Sequence, residues 1–256
     1  MSEPKDSTQR FSHTVDNYIK FRPDYPKGII PWLKAEFRLS PYSVVADIGS
    51  GTGILTWHFL NNGNTVFAVE PNLEMRSAAE KLHGQYHSLK SIDGTAEATT
   101  LQDNAVNFVV AAQAFHWFDK VKTRQEFERI LKPNGKAILI WNERNTSTPF
   151  LQEYDQMLID LAPDYSRVDH RQITDEVVNE FFAPNEVHFK SFDNVQVFDY
   201  AGLEGRLLSS SYALTPEDQD YPKMIASLKD MFDRHQQNGT VDFIYDTKVY
   251  VSSFNS

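Results

Sequence analysis

Three glycines at alternate positions, arriving just after an acidic residue in an apolar run, make the most chemically suggestive stretch of this chain. It reads Val44-Val45-Ala46-Asp47-Ile48-Gly49-Ser50-Gly51-Thr52-Gly53. Glycine is needed where a chain turns sharply from strand to helix and a ligand must lie close against the backbone. A helix starting after such a turn points its free N–H groups toward the carboxyl edge of the sheet, where polar ligands collect in open α/β folds. A second apolar run, Val66-Phe67-Ala68-Val69, ends in Glu70, 23 residues after Asp47. A carboxylate at that place can accept both hydroxyls of a ribose. Taken alone it would serve equally well to cap the helix that begins near Pro71; with the glycine loop upstream, the pair points to a nucleoside ligand.

Two familiar loops fail to fit. The dinucleotide fingerprint wants G-x-G-x-x-G or A, and counting from Gly49 puts Ile54 at the last position. A phosphate loop would need Gly-Lys-Ser/Thr, which does not follow. The string Asp47-x-Gly49-x-Gly51-x-Gly53 instead resembles the first motif of class I S-adenosylmethionine-dependent methyltransferases. The resemblance runs from about residue 43 to 142 and implies roles in order along the chain. Asp47, Gly49, Ser50, Gly51, Thr52 and Gly53 would carry the methionine part of the cofactor, and Glu70 with Pro71 its ribose. Thr95, Ala96 and Glu97, in Gly94-Thr95-Ala96-Glu97, would lie by adenine. Relatives often have an acidic residue at the position of Thr95, so that contact is lost, weakened or supplied by Glu97. Gln113 opens the loop Gln113-Ala114-Phe115-His116-Trp117-Phe118 after the fourth strand, and Leu131-Lys132-Pro133-Asn134-Gly135 is the turn before the fifth.

That loop, together with Tyr18…Phe21-Arg22-Pro23-x-Tyr25-Pro26, resembles the small-molecule branch that includes trans-aconitate methyltransferases. The branch implies that Tyr18 and Arg22 fold over the cofactor or pair with its carboxylate. Simple docking of the segment through Tyr18, Phe21 and Tyr25 is the competing reading. For the acceptor, His116 sits just past a strand's carboxyl end, where it could orient substrate or accept a proton; anchoring beside Trp117 is its structural alternative. A carboxylate acceptor would need a cation, and Arg144, Arg167, Arg171 and Arg206 are the candidates, each equally readable as solvated surface charge. A hydroxyl or amine acceptor would turn attention to His116 or Tyr212 as base. The expected site is therefore His116, Trp117, Arg144 and Tyr212 around the acceptor, with O or N as the accepting atom. A non-catalytic S-adenosylmethionine-binding module and a nicotinamide-dependent oxidoreductase are the competing functions, the second disfavoured by Ile54.

The elements that must position these residues follow from hydrophobic pattern. Val44–Ile48, Thr65–Val69, Val106–Ala112 and Lys136–Trp141 read as buried strands, with a weaker one near Gln85–Ser91. Gly53–Asn61, Leu73–Leu82 and Thr123–Leu131 read as the helices between them. Past Trp141 the alternation stops. Pro149–Leu161, Thr174–Phe182, Gly202–Ser211 and Pro216–Gln237 read as helices, Glu186–Tyr200 as strand with a turn near Asp193-Asn194, and Val241–Ser252 as a closing strand. The expectation is a Rossmann-like, doubly wound α/β fold. Its sheet is mostly parallel and seven-stranded with an antiparallel last strand, under a partly helical cap. Residues 1–40 would form an N-terminal lid broken by Pro23, Pro26 and Pro31, 41–145 the cofactor core, 146–185 a helical cap insertion, and 186–256 the closing strands with cap helices at 202–237.

With 256 residues the chain can bury a sizeable core. It has no cysteine, which excludes disulfides and thiolate chemistry. The spacing of its histidines suggests no metal. A net charge of −10 argues against a nucleic-acid groove, and no apolar run is long enough to span a bilayer. A cytoplasmic monomer or homodimer acting on a small molecule is the resulting expectation.

Overall fold

The structure is a computed structural model, and it describes residues 20–163, 165, 173–210 and 212–254. Tyr18, Arg167 and Arg171 lie outside them. Seven strands form one sheet: β1 (Val44–Ile48), β2 (Thr65–Val69), β3 (Leu89–Ile92), β4 (Val106–Ala112), β5 (Leu131–Arg144), β6 (His188–Phe198) and β7 (Val241–Ser252). Their spatial order is β3-β2-β1-β4-β5-β7-β6. The chain winds outward from β1 in one direction, then returns to β4 on its other side, so the order reverses between β1 and β4. The pairings among β1 to β5 are parallel, and β7 runs antiparallel to both β5 and β6. The fold expected from sequence is the one observed.

Each strand divides its side chains between two cores because successive residues face opposite ways. Ala46 and Ile48 of β1 join Val109 and Ala111 of β4 on one face. Val45 joins Val66, Phe108 and Val110 on the other. That second face is covered by helices α1 (Ile29–Phe37) and α2 (Ile54–Asn61), through Ile29, Leu33, Leu55 and Phe59. Helix α3 (Leu73–His83) begins under a side-chain cap, Asn72 Oδ1 accepting from Met75 N at 2.9 Å. Helix α4 (Lys120–Ile130) places Phe127 and Ile130 in the first core, and α6 (Asp175–Phe182) adds Phe181 and Phe182. A third core lies in the cap, where α5 (Pro149–Leu161), α7 (Tyr200–Leu208) and α8 (Tyr221–His235) pack on the start of β7 through Tyr154, Leu203, Met224, Leu228 and Phe243.

Three local expectations give way. Pro31 does not interrupt α1, because it occupies the third helical position, where its missing N–H has no intrahelical acceptor to lose. Asp193-Asn194 makes no turn. Strand β6 pairs with β7 without a break from His188 to Phe198, and eleven consecutive pairings outweigh the turn preference of two residues. The helix expected from Pro216 starts instead at Tyr221. Asp218 Oδ2 takes the backbone N–H of Thr215 at 2.7 Å, a side-chain turn that competes with helix over those residues.

A short strap, residues 21–24, ties the N-terminal segment across the sheet and cap. Phe21 lies so close to α7 that a Cβ on Gly205 would fall 2.1 Å from its ring. Arg22 Nη2 donates to the Ser209 carbonyl at 3.0 Å, and Gln196 donates to the Phe21 carbonyl at 3.3 Å. The Asp24 carbonyl accepts from Asn142 at 3.3 Å and from Asn194 at 2.7 Å, while Asp24 Oδ1 lies 2.6 Å from His58 Nε2. Buried Asn142 is the hub, since its Oδ1 also accepts from Thr247 Oγ1 at 2.5 Å. Asn142→Leu would take the acceptor from the Thr247 hydroxyl and one of two donors from the Asp24 carbonyl. We expect it to lower stability by about 1–3 kcal/mol in urea unfolding and to speed proteolytic cleavage near residues 20–28; an unchanged midpoint would show that the strap does not depend on this hub.

Candidate functional site

The reversal between β1 and β4 opens a cleft at the carboxyl edge of the sheet, the place where open α/β folds take ligands. Parallel register builds it. Ile48 pairs with Val69, so the chain leaving β1 folds back over the end of β2, with Gly49 N and Ser50 N both donating to the Val69 carbonyl at 2.9 and 3.2 Å. Gly49, Gly51 and Gly53 all have positive φ, at 68°, 56° and 82°, a region that costs other residues roughly 1–2 kcal/mol. At Gly49 a side chain is also excluded by space, because a Cβ there would lie 2.7 Å from the Cβ of Ala114.

Glu70 closes this corner. Its Oε2 accepts from Gly51 N and its Oε1 from Asn72 N, each at 2.9 Å. The carboxylate is 8% exposed. Burial raises its pKa, against the lowering effect of those two amides and of Arg76. Each oxygen keeps further lone pairs for a ligand hydroxyl. Asp47 lies elsewhere: it is 1% exposed and accepts from Thr56 Oγ1 at 2.6 Å. It anchors the start of α2 rather than lining the cleft. Burial, then repulsion from Glu70, pushes its pKa up to about 7, against the Thr56 bond. The hydroxyls of Ser50 and Thr52 are buried and have no hydrogen-bond partner among the described residues.

The cleft holds a cavity of about 170 Å³ that is open to solvent on one side. Gly49, Gly51, Glu70, Pro71, Thr95, Ala96, Glu97, Gln113 and Trp117, all expected from sequence, line it. The reading missed Asn72, Met75, Ala112, Ala114 and Phe118 in the same wall. Asn72 was within reach, since an Asn two residues after a strand-end acid and just ahead of a helical pattern is an N-cap signature. The last three depend on how β4 exits: Gln113 takes φ 55° and its Nε2 donates to the Asn142 carbonyl at 3.1 Å, turning the chain into a 3-10 helix, Phe115–Trp117. Glu97 Oε1 accepts from Asp119 N at 2.9 Å, joining the third loop to the head of α4.

The remaining expected residues stand apart from this wall. The His116 ring packs 4.6 Å from that of Trp117. Arg22 is committed to Ser209 in the strap. Arg144, at the end of β5, is paired with Asp155 and Tyr165 in the cap. Tyr212 is in the same buried neighbourhood, where the effects of Arg144 and Arg206 bring its hydroxyl below its usual range despite the opposing push of burial. Among the described residues no cluster of His, Cys, Asp or Glu could hold a metal, and no helix is long and apolar enough to cross a membrane.

The shift of Asp47 has a measurable consequence. Its folded pKa lies above the ordinary 3.8, so between pH 4 and 7 the unfolded chain releases this proton first. The stability attached to the protonated form is complete below pH 4 and is lost as pH rises through 7, at up to about 1.4 kcal/mol per pH unit. Asp47→Asn, which keeps an acceptor for Thr56, should flatten that part of the stability–pH curve. An unaltered slope would place the titration elsewhere.

Comparison with known proteins agrees with this geometry. Residues 46–139 match the family described as a methyltransferase domain. An uncharacterized methyltransferase of Schizosaccharomyces pombe is 35% identical over 149 residues, 58% of this chain and 58% of the relative. The chain thus aligns with little more than half the length of that relative. Among solved structures, a protein from Anaeromyxobacter dehalogenans assigned as a type II methyltransferase superposes with a TM-score of 0.66 at 18% identity, over 91% of this chain and 97% of that one. The Haemonchus contortus phosphoethanolamine N-methyltransferase 2, solved in complex with S-adenosyl-L-methionine, gives 0.59 at 16% identity, over 98% of this chain and 59% of that one. With the glycine loop, the strand-end acid and the reversed sheet order in place, residues 46–139 are similar to a methyltransferase domain, and the fold is that of the solved methyltransferase structures.

Proposed function

We propose that the chain binds S-adenosyl-L-methionine in the cleft and transfers its methyl group to an oxygen or nitrogen of a small-molecule acceptor. The observation that carries this reading is the corner at Glu70. A half-satisfied carboxylate stands at the end of β2, 2.9 Å from an amide of a loop whose glycines leave the backbone bare. The residues suit the group. Glu70 would hold the ribose hydroxyls, Gly49 and Gly51 the methionine part, and Thr95, Ala96 and Met75 the base. Glu70 and Glu97 also give the cleft wall a negative character that favours a cationic ligand over a nicotinamide dinucleotide with its two phosphates.

When bound, this cofactor supplies a methyl group on positive sulfur: the acceptor's lone pair forms the new bond to carbon while the carbon–sulfur bond breaks and its electrons stay on sulfur, leaving S-adenosyl-L-homocysteine. The protein's part is placement. Holding donor and acceptor in line can contribute about 7–11 kcal/mol of the barrier reduction. The rigid elements for that are the β1 loop, gripped by Val69 and Glu70, and the β4 exit, gripped by Asn142 through Gln113. Trp117 and Phe118 wall the cleft with aromatic surface.

Calorimetry with S-adenosyl-L-methionine and S-adenosyl-L-homocysteine tests the reading directly. The wild-type chain should bind both, and Glu70→Ala should weaken each by about 1–3 kcal/mol, roughly 5- to 150-fold. Absence of heat with either ligand on well-folded protein would overturn the assignment.

A further inference from the structure

The last turn of α3 reaches the glycine loop from behind. Helix α3 buries Met75, Ala79 and His83, which stand one helical turn apart and so share a face. Met75 lines the cleft. Ala79 and His83 continue that face to Gly53, the last glycine of the loop. A Cβ on Gly53 would fall 2.8 Å from His83 Cδ2, 3.0 Å from its Nε2 and 3.5 Å from the Ala79 Cβ. The imidazole therefore rests directly on the loop backbone.

The rest of the loop is fastened from the other side. Gly49 N and Ser50 N are fixed on the Val69 carbonyl and Gly51 N on Glu70, so β2 and its end secure the first three residues. Gly53 N bonds back within the loop, to the Ser50 carbonyl at 2.9 Å, and Gly53 opens α2 as an N-cap with no side-chain bond. A glycine at φ 82° has no side chain of its own to pack and keeps the most conformational freedom of any residue. His83 covers this end. The residue is 9% exposed, and its Nδ1 is buried with no hydrogen-bond partner among the described residues; the Cδ2–Nε2 edge is the one turned to the loop. Burial lowers the His83 pKa, against the backbone of Thr52 and Gly53, which favours the charged form. A pKa below the ordinary 6.5 leaves the ring neutral at neutral pH. A neutral imidazole at the positive N-terminus of α2 adds no repulsion toward a cationic ligand.

We propose that His83 is a positioning residue for the cofactor: from behind the cleft wall, its imidazole holds the Gly51–Gly53 end of the loop against the methionine part of S-adenosyl-L-methionine. The same helix begins at Asn72, whose amide Glu70 accepts at 2.9 Å. One helix thus joins the acid proposed for the ribose to the back of the loop proposed for the methionine part. It sets the two halves of the cofactor relative to each other.

This role rests on the methyltransferase reading, and two measurements on the full chain separate them. Hydrogen exchange without ligand reads the loop itself. His83→Ala should speed exchange of the Gly49, Gly51 and Gly53 amides by at least about tenfold, with the amides of β4 unchanged within about twofold. Calorimetry with S-adenosyl-L-homocysteine, and competition by 5′-methylthioadenosine, which keeps the nucleoside and sulfur but lacks the amino-acid part, read the consequence. His83→Ala should weaken the homocysteine product by at least about tenfold and the truncated nucleoside by less than about threefold. His83→Gln, which keeps a side-chain N–H donor, should restore the product to within about threefold of wild type. His83→Leu, which has no donor, should show the same difference between the two ligands as His83→Ala and serves if that variant does not fold. Equal weakening of the two ligands, unchanged loop exchange, or wild-type product affinity in a folded His83→Ala or His83→Leu variant would each overturn the role of His83 and leave the methyltransferase reading standing. Failure of the wild-type chain to bind the homocysteine product would bring down both, even with a faster loop in His83→Ala.

Discussion

The grip of Glu70 on the Gly51 amide depends on one constraint, the parallel register of β1 against β2. Because Ile48 stands opposite Val69, the two strands end level, and the residues that follow them meet. The Val69 carbonyl then takes two amides from the turn and Glu70 takes a third. A slip of one residue would turn each side chain of β2 to the opposite face, and the acid would no longer reach the loop. The cleft is thus a product of sheet pairing before it is a product of any catalytic side chain.

A second layer of polar contacts secures the other wall. Asn142 lies buried in β5, yet it reaches the strap through the Asp24 carbonyl, β7 through Thr247, β6 through Asn194 and the cleft through Gln113. One residue, through its side-chain amide and its backbone carbonyl, thereby joins four segments far apart in sequence. Buried networks of this kind rigidify when each member has a partner and are costly when one is lost. The strap and the cap arginines meet in the same region, since Arg22 bonds Ser209, one residue from the Ser210 hydroxyl that Arg206 uses. The strap and the cap arginines therefore share the carboxyl end of α7.

Much of the cleft corner is legible in the sequence. Asp47, the alternating glycines, Glu70 and the 94–97 turn lie at the ends of short apolar runs, and period-two burial with glycine punctuation reports such ends reliably. Roles within that set were less legible. Asp47 and Glu70 are the same kind of residue in similar local contexts, but Asp47 points at Thr56 under α2 while Glu70 points at the loop. Only the packing of α2 on β1 separates a structural acid from one that lines the cleft.

The sequence by itself determined the alternation of strand and helix, the bare backbone bend and the acid beside it, because those depend on local conformational cost and on hydrophobic period. Tertiary structure alone decided the rest. It made β6 one unbroken strand through Asp193-Asn194, carried Arg22 to α7, and paired Arg144 with Asp155 and Arg206 with Tyr245 and Ser210 in the cap. Those outcomes turn on contacts between residues well apart along the chain, as with Arg22 and Ser209 at a separation of 187, and no local pattern encodes which distant groups a buried charge will meet.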